Sequence, residues 1–243
     1  MPFDSFREFY QSDAQSVYAL WIVPLLFLAW LVLTPTGRAG ASSPWRAGDA
    51  SFLRWYSILF GLETVLDPFA TGPFLRATGQ QDTALGTAVL FLFVLLGDFR
   101  VFLLLFRMAR PERPLGATIA RAAAWTFIVP IATWVVNTSL HALRPGLPSQ
   151  TIWLVYELFF LAMALWLRGS FVPSEVGAND PVRRRGLRAA AGYVAVYYAL
   201  WALADVLILV FGLDAGWLLR VVPNQLYYAF WLPFVWFQLA GLR

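Results

Sequence analysis

The sequence predicts an all-α, polytopic membrane protein with seven transmembrane helices. Of its 243 residues, 60% are hydrophobic and 13% are charged, and the mean hydropathy is +0.64. A soluble domain carries about 25% charged residues. The chain also contains several apolar runs of the roughly 20 residues that a helix needs to cross a bilayer. Backbone groups in lipid must bond within the protein, and the runs are too long for barrel strands, so helices are expected.

Seven apolar runs are the candidates for these helices, and they form one membrane domain over residues 1–243. Proline lies inside three of the runs, at Pro24, Pro130 and Pro233, where kinks are expected because proline cannot donate a backbone hydrogen bond. Aromatic residues at helical spacing within 1–15 predict an interfacial segment on the membrane surface. The runs lie at 16–34, 51–72, 84–106, 121–138, 151–168, 189–212 and 225–241.

The placement of arginine predicts the orientation of the chain. All 18 basic residues are arginine, and most follow the first, third and fifth runs. The opposite side carries only Arg7, Arg76, Arg144 and Arg220. Because positive charge stays on the cytoplasmic side, we expect the N-terminus outside and the C-terminus in the cytoplasm of a cell inner membrane.

Several kinds of chemistry are excluded by composition. The chain has no cysteine, no lysine and one histidine, His141. Disulfides, thiolate catalysis, bis-histidine haem, histidine-rich metal sites and a retinal Schiff base all lack the residues they need. There is no phosphate-binding loop and no nucleic-acid motif, since the basic residues flank the membrane. We therefore expect no cofactor, no metal and no nucleic-acid partner.

The second and sixth runs resemble each other. Trp55-Tyr56 precedes Glu63 at the same spacing as Tyr197-Tyr198 precedes Asp205. This pattern predicts a parallel 3+1+3 repeat. Parallel repeats occur in transporters, with the substrate site near the bilayer midplane between the halves. The predicted parts are a first three-helix half at 16–106, a linker helix at 121–138 and a second half at 151–243.

The predicted topology resembles that of the sugar-exporting SWEET family, the PnuC nicotinamide-riboside carriers and the microbial rhodopsins. The resemblance covers topology only. The Pro-Gln dipeptide of the PQ-loop relatives and the lysine that binds retinal are both missing from this chain. No family is therefore assigned from the sequence.

Ionisable residues inside the apolar runs are the candidate functional residues. A charge at the bilayer centre costs about 2.5–3.5 kcal/mol on insertion scales, so such side chains are expected to face the bundle interior and pair, hydrate or hold a proton. Glu63 and Asp67 lie one helical turn apart and are predicted to share a proton. The candidate proton- and substrate-binding residues are Glu63, Asp67, Asp98, Arg100, Glu157 and Asp205.

Arg100 is the one cation predicted at mid-span. Its guanidinium stays protonated, so it needs a carboxylate. Asp98 is a poor candidate because two residues on a helix are separated by about 200° around the axis. The partner is therefore expected from another helix, and four acids are open candidates: Glu63, Asp67, Asp205 and Glu157.

Aromatic residues make up 17% of the chain, and some lie on the same helix faces as the candidate acids. Trp201 and Tyr198 precede Asp205 by about one and two turns. An aromatic box with an acid suits a flat or cationic organic molecule. The predicted aromatic pocket comprises Tyr56, Tyr156, Tyr198 and Trp201.

Three functions remain open at this point. The favoured one is a secondary transporter of a small organic solute, coupled to protons through symmetry-related midplane acids at Glu63 and Asp205. The alternative is a membrane enzyme that acts on a lipid or isoprenoid by carboxyl acid–base chemistry. The third is a receptor or assembly subunit with structural ion pairs. The expected partners are membrane lipids, a small-molecule substrate and further copies of the chain in a homo-oligomer.

Overall fold

The protein is an all-helical, multi-pass membrane protein. The computed structural model describes residues 5–34 and 47–239, and all regular structure in these ranges is helical. Six of the helices are long and apolar enough to cross a membrane. The helices are α1 (Phe6–Gln11), α2 (Ala14–Leu33), α3 (47–77), α4 (Ala84–Ala109), α5 (Leu115–Leu143), α6 (Thr151–Glu175), α7 (Pro181–Leu209) and α8 (215–239).

The six spanning helices α2–α7 coincide with the first six predicted runs. The seventh run forms α8, which is helical from 215 but is not one of the six, because its tryptophan, tyrosine and polar residues lower its hydropathy. The last residues of that run, 240–241, lie outside the described residues. The same holds for Arg38, Arg46 and Arg243, which contributed to the predicted orientation.

Proline disturbs two of the three runs in which it was noted. Phe127 separates the two halves of α5, Leu115–Thr126 and Ile128–Leu143, just ahead of Pro130, which cannot donate to the Thr126 carbonyl. Pro233 of α8 follows a π-helical turn in the same way. Pro24 lies inside the α-helical part of α2, Ala19–Leu33, which has no break at the proline. Four helices contain a π-helical turn, at Ala14–Tyr18, Ala70–Phe74, Leu167–Phe171 and Gln225–Phe230.

Local capping sets the ends of the central helices. Gly79 has a φ of 66°, which a side chain disfavours, and the Gln80 N–H donates to the Leu75 carbonyl at 2.9 Å to close α3. The Thr83 hydroxyl accepts from the Gly86 N–H at 3.1 Å and begins α4. The short turn that results makes α3 and α4 antiparallel neighbours.

Helix α7 lies at the centre of the bundle. It packs against α6, α8 and α4, while α2 packs against α3 and against the π-helical turn of α8. The half of α4 after Gly97 is almost entirely buried. The two predicted three-helix groups therefore meet along α4, α7 and α8, and these helices carry the buried residues Asp98, Arg100, Asp205 and Arg220.

The two ends of the bundle differ in charge. The end at which α4 and α6 finish and α7 begins is called the arginine-rich end. There Glu175 accepts from Arg110 at 2.9 Å and from Arg121 at 3.2 Å, so α6 is tied to α4 and α5. At the opposite end, α1 packs on the start of α8, and the Phe6 N–H donates to Asp214 at 2.7 Å.

A partly buried ion pair at the arginine-rich end joins α3 to α7. Arg183 Nη2 lies 3.0 Å from Asp49 Oδ2, and Asp49 is 3% exposed. We expect Asp49→Ala to lower the free energy of unfolding in detergent by about 1.5–3 kcal/mol, the range for hydrogen bonds to charged groups. The matched control is Asp82→Ala in the exposed turn before α4, which should stay within about 0.5 kcal/mol of the wild type. Equal effects of the two substitutions would contradict the assignment.

Candidate functional site

A cavity of about 340 Å³ lies between the two helix groups, in the half of the bundle away from the arginine-rich end. Its volume is in the range of small-molecule sites. It takes side chains from α1, α3, α4, α6, α7 and α8, and its wall combines carboxyl groups with aromatic rings. The lining residues are Tyr10, Asp67, Thr71, Leu90, Val94, Asp98, Trp153, Tyr156, Glu157, Tyr198, Trp201, Arg220, Asn224, Tyr227 and Tyr228.

Asp98 of α4 lies in the wall of this cavity and is 1% exposed. The Tyr156 hydroxyl of α6 donates to one carboxyl oxygen, and the Tyr198 hydroxyl of α7 donates to the other at 3.0 Å. No arginine is within ion-pair distance of Asp98 in the described part of the chain. Two hydroxyl donors thus hold this acid in place, and its charge is not cancelled by a fixed cation.

Asp67 of α3 is the second acid of the wall and is also held by hydroxyl groups. The Tyr228 hydroxyl donates to it at 2.9 Å and the Thr71 hydroxyl at 3.2 Å. Thr71 belongs to the π-helical turn Ala70–Phe74 of α3. Asp67 and Asp98 therefore line one cavity from neighbouring helices, and neither has a salt bridge to another described residue.

Glu157 of α6 is the third acid of the wall, and it shares a cation with Asp205. Arg220 Nη2 lies 3.6 Å from Glu157 Oε1, and Arg220 Nη1 donates to Asp205. The Gln150 side-chain amide also donates to Asp205, at 3.1 Å and 3.2 Å. Glu157 Oε2 is buried without a hydrogen-bond partner. Glu157 and Asp205 share the single positive charge of Arg220. One of the two carboxyl groups is therefore available to hold a proton or to pair with a bound cation.

Helix α1 contributes one residue, Tyr10, to the cavity wall at the end away from the arginine-rich end. The hydroxyl of Tyr10 accepts from Asn224 Nδ2 at 3.1 Å, and Asn224 Oδ1 accepts from the Trp201 indole at 2.9 Å. Arg7 lies over the ring of Trp217, at 5.4 Å from its centroid. The segment predicted at 1–15 to be interfacial thus contributes a wall residue.

Arg100 of α4 lies outside the cavity wall, at the centre of the bundle. Its Nη1 is 2.9 Å from the Thr64 hydroxyl and 3.4 Å from Glu63 Oε2, so its carboxylate does come from another helix. Its Nη2 donates to the Tyr227 carbonyl at 2.8 Å, and its guanidinium lies 4.1 Å from the centroid of the Tyr227 ring. One side chain thereby links α3, α4 and α8.

The carbonyl that accepts from Arg100 lies in a π-helical turn of α8. This turn, Gln225–Phe230, contains Tyr227 and is wider than a turn of α-helix. In the same turn the Leu226 carbonyl accepts from the Tyr193 hydroxyl at 2.9 Å. The turn also places two consecutive tyrosines, Tyr227 and Tyr228, in the cavity wall.

The predicted site residues fall into three groups, the last of which is Asp205 alone. Asp67, Asp98, Glu157, Tyr156, Tyr198 and Trp201 line the cavity. Glu63 and Arg100 form an ion pair behind the wall, beside Tyr56, whose hydroxyl donates to the Arg100 carbonyl at 2.9 Å and accepts from Trp231. Asp205 does not meet Arg100, because it pairs with Arg220 near the end of α7.

Glu63 and Asp205 are predicted to lie at the same depth in the membrane, but the structure places them at different distances from the ends of their helices. Asp205 lies about one turn before α7 ends at Leu209, whereas Glu63 lies about four turns before α3 ends at Ala77. The predicted seventh run began at 225, after Arg220. Helix α8 begins ten residues earlier, at 215, and buries Arg220 to 9% exposure.

Several residues of the site were not predicted from the sequence. In the sequence, Arg220 precedes the predicted seventh run and therefore counts as a flanking charge. Tyr227 and Tyr228 carry no signal of a shared site, because adjacent residues of an α-helix do not share a face. The unpredicted residues are Tyr10, Thr64, Gln150, Arg220, Asn224, Tyr227 and Tyr228.

Comparison with known proteins adds no assignment: the chain matches no known protein family, no curated protein and no solved structure. Within the described residues, no group of three or more acids or histidines is arranged to hold a metal ion. The chemistry of the site thus rests on carboxyl groups, tyrosine hydroxyls and aromatic rings. Such a wall can exchange protons and can bind an organic cation.

Proposed function

We propose that the protein is a secondary transporter of a small, positively charged organic solute, coupled to protons. The observation that carries the proposal is the cavity at the junction of the two helix groups. Three of its wall residues are acids, and only one is a cation. Aromatic rings from α6, α7 and α8 surround the acids, and rings of this kind attract cations through their negative faces.

The charge balance of the site favours a solute or a proton as the missing cation. Asp98 and Asp67 are hydrogen-bonded by hydroxyl groups alone, and Glu157 shares Arg220 with Asp205. Uncompensated charge in a membrane interior is costly, so each surplus acid must hold a proton or face a cation. Release of protons when a cationic solute enters would couple the two fluxes.

We infer that α8 is a seventh crossing and that the N-terminus lies outside, which puts the cavity on the outer side. In support, α8 spans residues 215–239, long enough to cross the hydrocarbon layer. The parallel 3+1+3 repeat is supported by one correspondence: an acid of the second helix pairs with an arginine of the third in each half, as Glu63–Arg100 and Asp205–Arg220.

The other half of the bundle supplies the closed gate that a transporter requires. Phe102, Phe106, Phe160 and Phe171 are each at most 3% exposed and form an aromatic plug between the cavity and the arginine-rich end. Phe160 stacks on the cavity residue Tyr198 at 4.4 Å between ring centroids. We propose that this plug opens when the helix groups rock about the cavity.

The two other functions have less support. For a receptor or assembly subunit we expect all buried charges to be paired and no cavity in the bundle, whereas Asp67 and Asp98 line a cavity and have no arginine within ion-pair distance in the described residues. A lateral opening to the lipid that leads to Glu63 would favour the enzyme, and Glu63 is not among the residues that line the cavity.

The test uses the full chain in proteoliposomes that contain a trapped pH indicator. An aromatic monoamine such as tyramine is added outside, with its uncharged amide analogue as the comparison. We expect the amine to drive proton movement across the membrane, and we expect Asp98→Asn to reduce its rate at least tenfold, because the amide cannot release a proton or balance the amine.

The matched control is Asp82→Asn, an exposed acid outside the cavity, which should transport like the wild type. Thermal unfolding in detergent checks that Asp98→Asn is folded. Wild-type proton flux that persists in Asp98→Asn, or an equal response to the amide analogue, would overturn the proposal.

A further inference from the structure

A groove at the arginine-rich end, on the outer surface of α6 and α7, is lined by four arginines. Arg168 comes from the π-helical turn of α6, and the other three come from the first turns of α7. The groove is separate from the cavity and shares no residue with it. It is called the arginine groove, and its lining residues are Arg168, Pro181, Arg184, Arg185, Arg188, Ala189, Gly192 and Val196.

The four arginines of this groove have no acidic partner in the described part of the chain. In contrast, Arg110 and Arg121 at the same end bind Glu175, and Arg183 binds Asp49. Arg184 Nε is buried and makes no hydrogen bond. Four unpaired guanidinium groups in one groove repel one another, so the local field favours an anion with several acceptor oxygens.

The groove continues from these charges into an apolar channel along α7. Arg184, Arg188, Gly192 and Val196 are spaced by four residues and lie on one face of the helix. A side chain at Gly192 would meet Arg168, whose Nε lies 3.4 Å from the position of an added Cβ. The Arg168 side chain therefore lies against α7 at Gly192, beside the other arginines.

We propose that the arginine groove binds the headgroup of an anionic phospholipid, with one acyl chain along Ala189, Gly192 and Val196. The distance along α7 from Arg184 to Val196 is about 18 Å, close to the half-thickness of the hydrocarbon core, about 15 Å. Val196 is 52% exposed and lies within a membrane-spanning helix, so its face is open to lipid. A free phosphate ion would use only the charged part of the groove.

Native mass spectrometry of the full chain in mixed micelles tests the proposal. The probes are phosphatidylglycerol and the zwitterionic phosphatidylcholine. We expect the wild type to retain phosphatidylglycerol selectively. Arg184→Gln/Arg188→Gln should weaken its binding about thirtyfold, or about 2 kcal/mol, since each arginine near anionic lipid contributes about 1 kcal/mol.

Two further variants distinguish a specific lipid site from a site for a free anion and from non-specific attraction of anionic lipid to the arginine-rich end. Arg113→Gln removes an arginine at the same end but outside the groove, and it should keep the affinity of the wild type. Ala189→Trp fills the apolar channel without changing charge and should weaken binding of phosphatidylglycerol at least fivefold. All of these side chains are at least partly exposed, so the folded state should tolerate the changes.

Three results would overturn the proposal. Loss of binding in Arg113→Gln to the same degree as in the groove variants would show a general attraction of charge and overturn the site. Ala189→Trp with unchanged affinity, together with displacement of the lipid by inorganic phosphate, would show a phosphate site and overturn the lipid assignment. Equal retention of the two lipids by the wild type would also overturn it.

Discussion

Arg100→Met should lower the free energy of unfolding by about 3–5 kcal/mol, the cost of leaving a buried charge without its partner. Arg100 is 1% exposed, and its guanidinium binds Glu63, Thr64 and the Tyr227 carbonyl. The substitution keeps most of the apolar volume and removes the charge that faces Glu63. Chemical denaturation in detergent micelles measures the loss.

A second substitution identifies the cause of this loss. In Arg100→Met/Glu63→Met no uncompensated carboxylate remains, so we expect at least half of the lost stability to return, although Thr64 and the Tyr227 carbonyl still lack their donor. Arg113→Met, on a half-exposed arginine without an ion pair, should change stability by less than about 0.5 kcal/mol. Strictly additive effects of the two methionines would mean that Arg100 and Glu63 are not coupled.

Gly97→Ala should destabilise the bundle by about 1–3 kcal/mol or more, the range for overpacking a core. A Cβ at this position would lie 1.5 Å from the Tyr227 hydroxyl oxygen and 2.7 Å from its Cζ. The Tyr227 ring cannot withdraw freely, because its face lies on the guanidinium of Arg100 and its carbonyl accepts from Arg100. We expect a lower melting temperature and reduced proton flux.

Gly116→Ala is the matched control, since nothing lies within 4 Å of a Cβ there and alanine favours the helix by about 0.5–1 kcal/mol. Tyr227→Leu in the Gly97→Ala background removes the clashing atoms and should restore part of the melting temperature. Wild-type stability of Gly97→Ala, or no improvement on adding Tyr227→Leu, would show that the Tyr227 side chain does not limit the space at Gly97.

The site residues that were predicted from the sequence follow from the free-energy cost of placing a charged side chain in lipid. Asp67, Asp98 and Glu157 lie within apolar runs. Because exposure of their charge to lipid is costly, these side chains were predicted to face the bundle interior without any knowledge of how the helices pack. The same reasoning required a carboxylate from another helix for Arg100. It could not choose among four acids, because the choice depends on which helices pack side by side.

The pairing of Asp205 with Arg220 shows where this reasoning ends. Arg220 precedes the predicted seventh run, which begins at 225, so the sequence alone placed it outside the membrane. Its burial depends on α8 beginning at 215 and on the packing of α8 against α7. The inward direction of both Tyr227 and Tyr228 depends on a π-helical turn, and a hydrophobic period of 3.6 residues carries no information about one.

The amino-acid sequence by itself determined the all-helical membrane class, six of the crossing helices and the presence of costly charges in their interior, because each follows from how many apolar residues stand in a row. Only the tertiary structure decided which charges meet, which acids face the cavity and where four arginines remain unpaired. Those outcomes depend on contacts between helices far apart in the chain, and the free energy of such contacts is a property of the packed bundle rather than of any one segment.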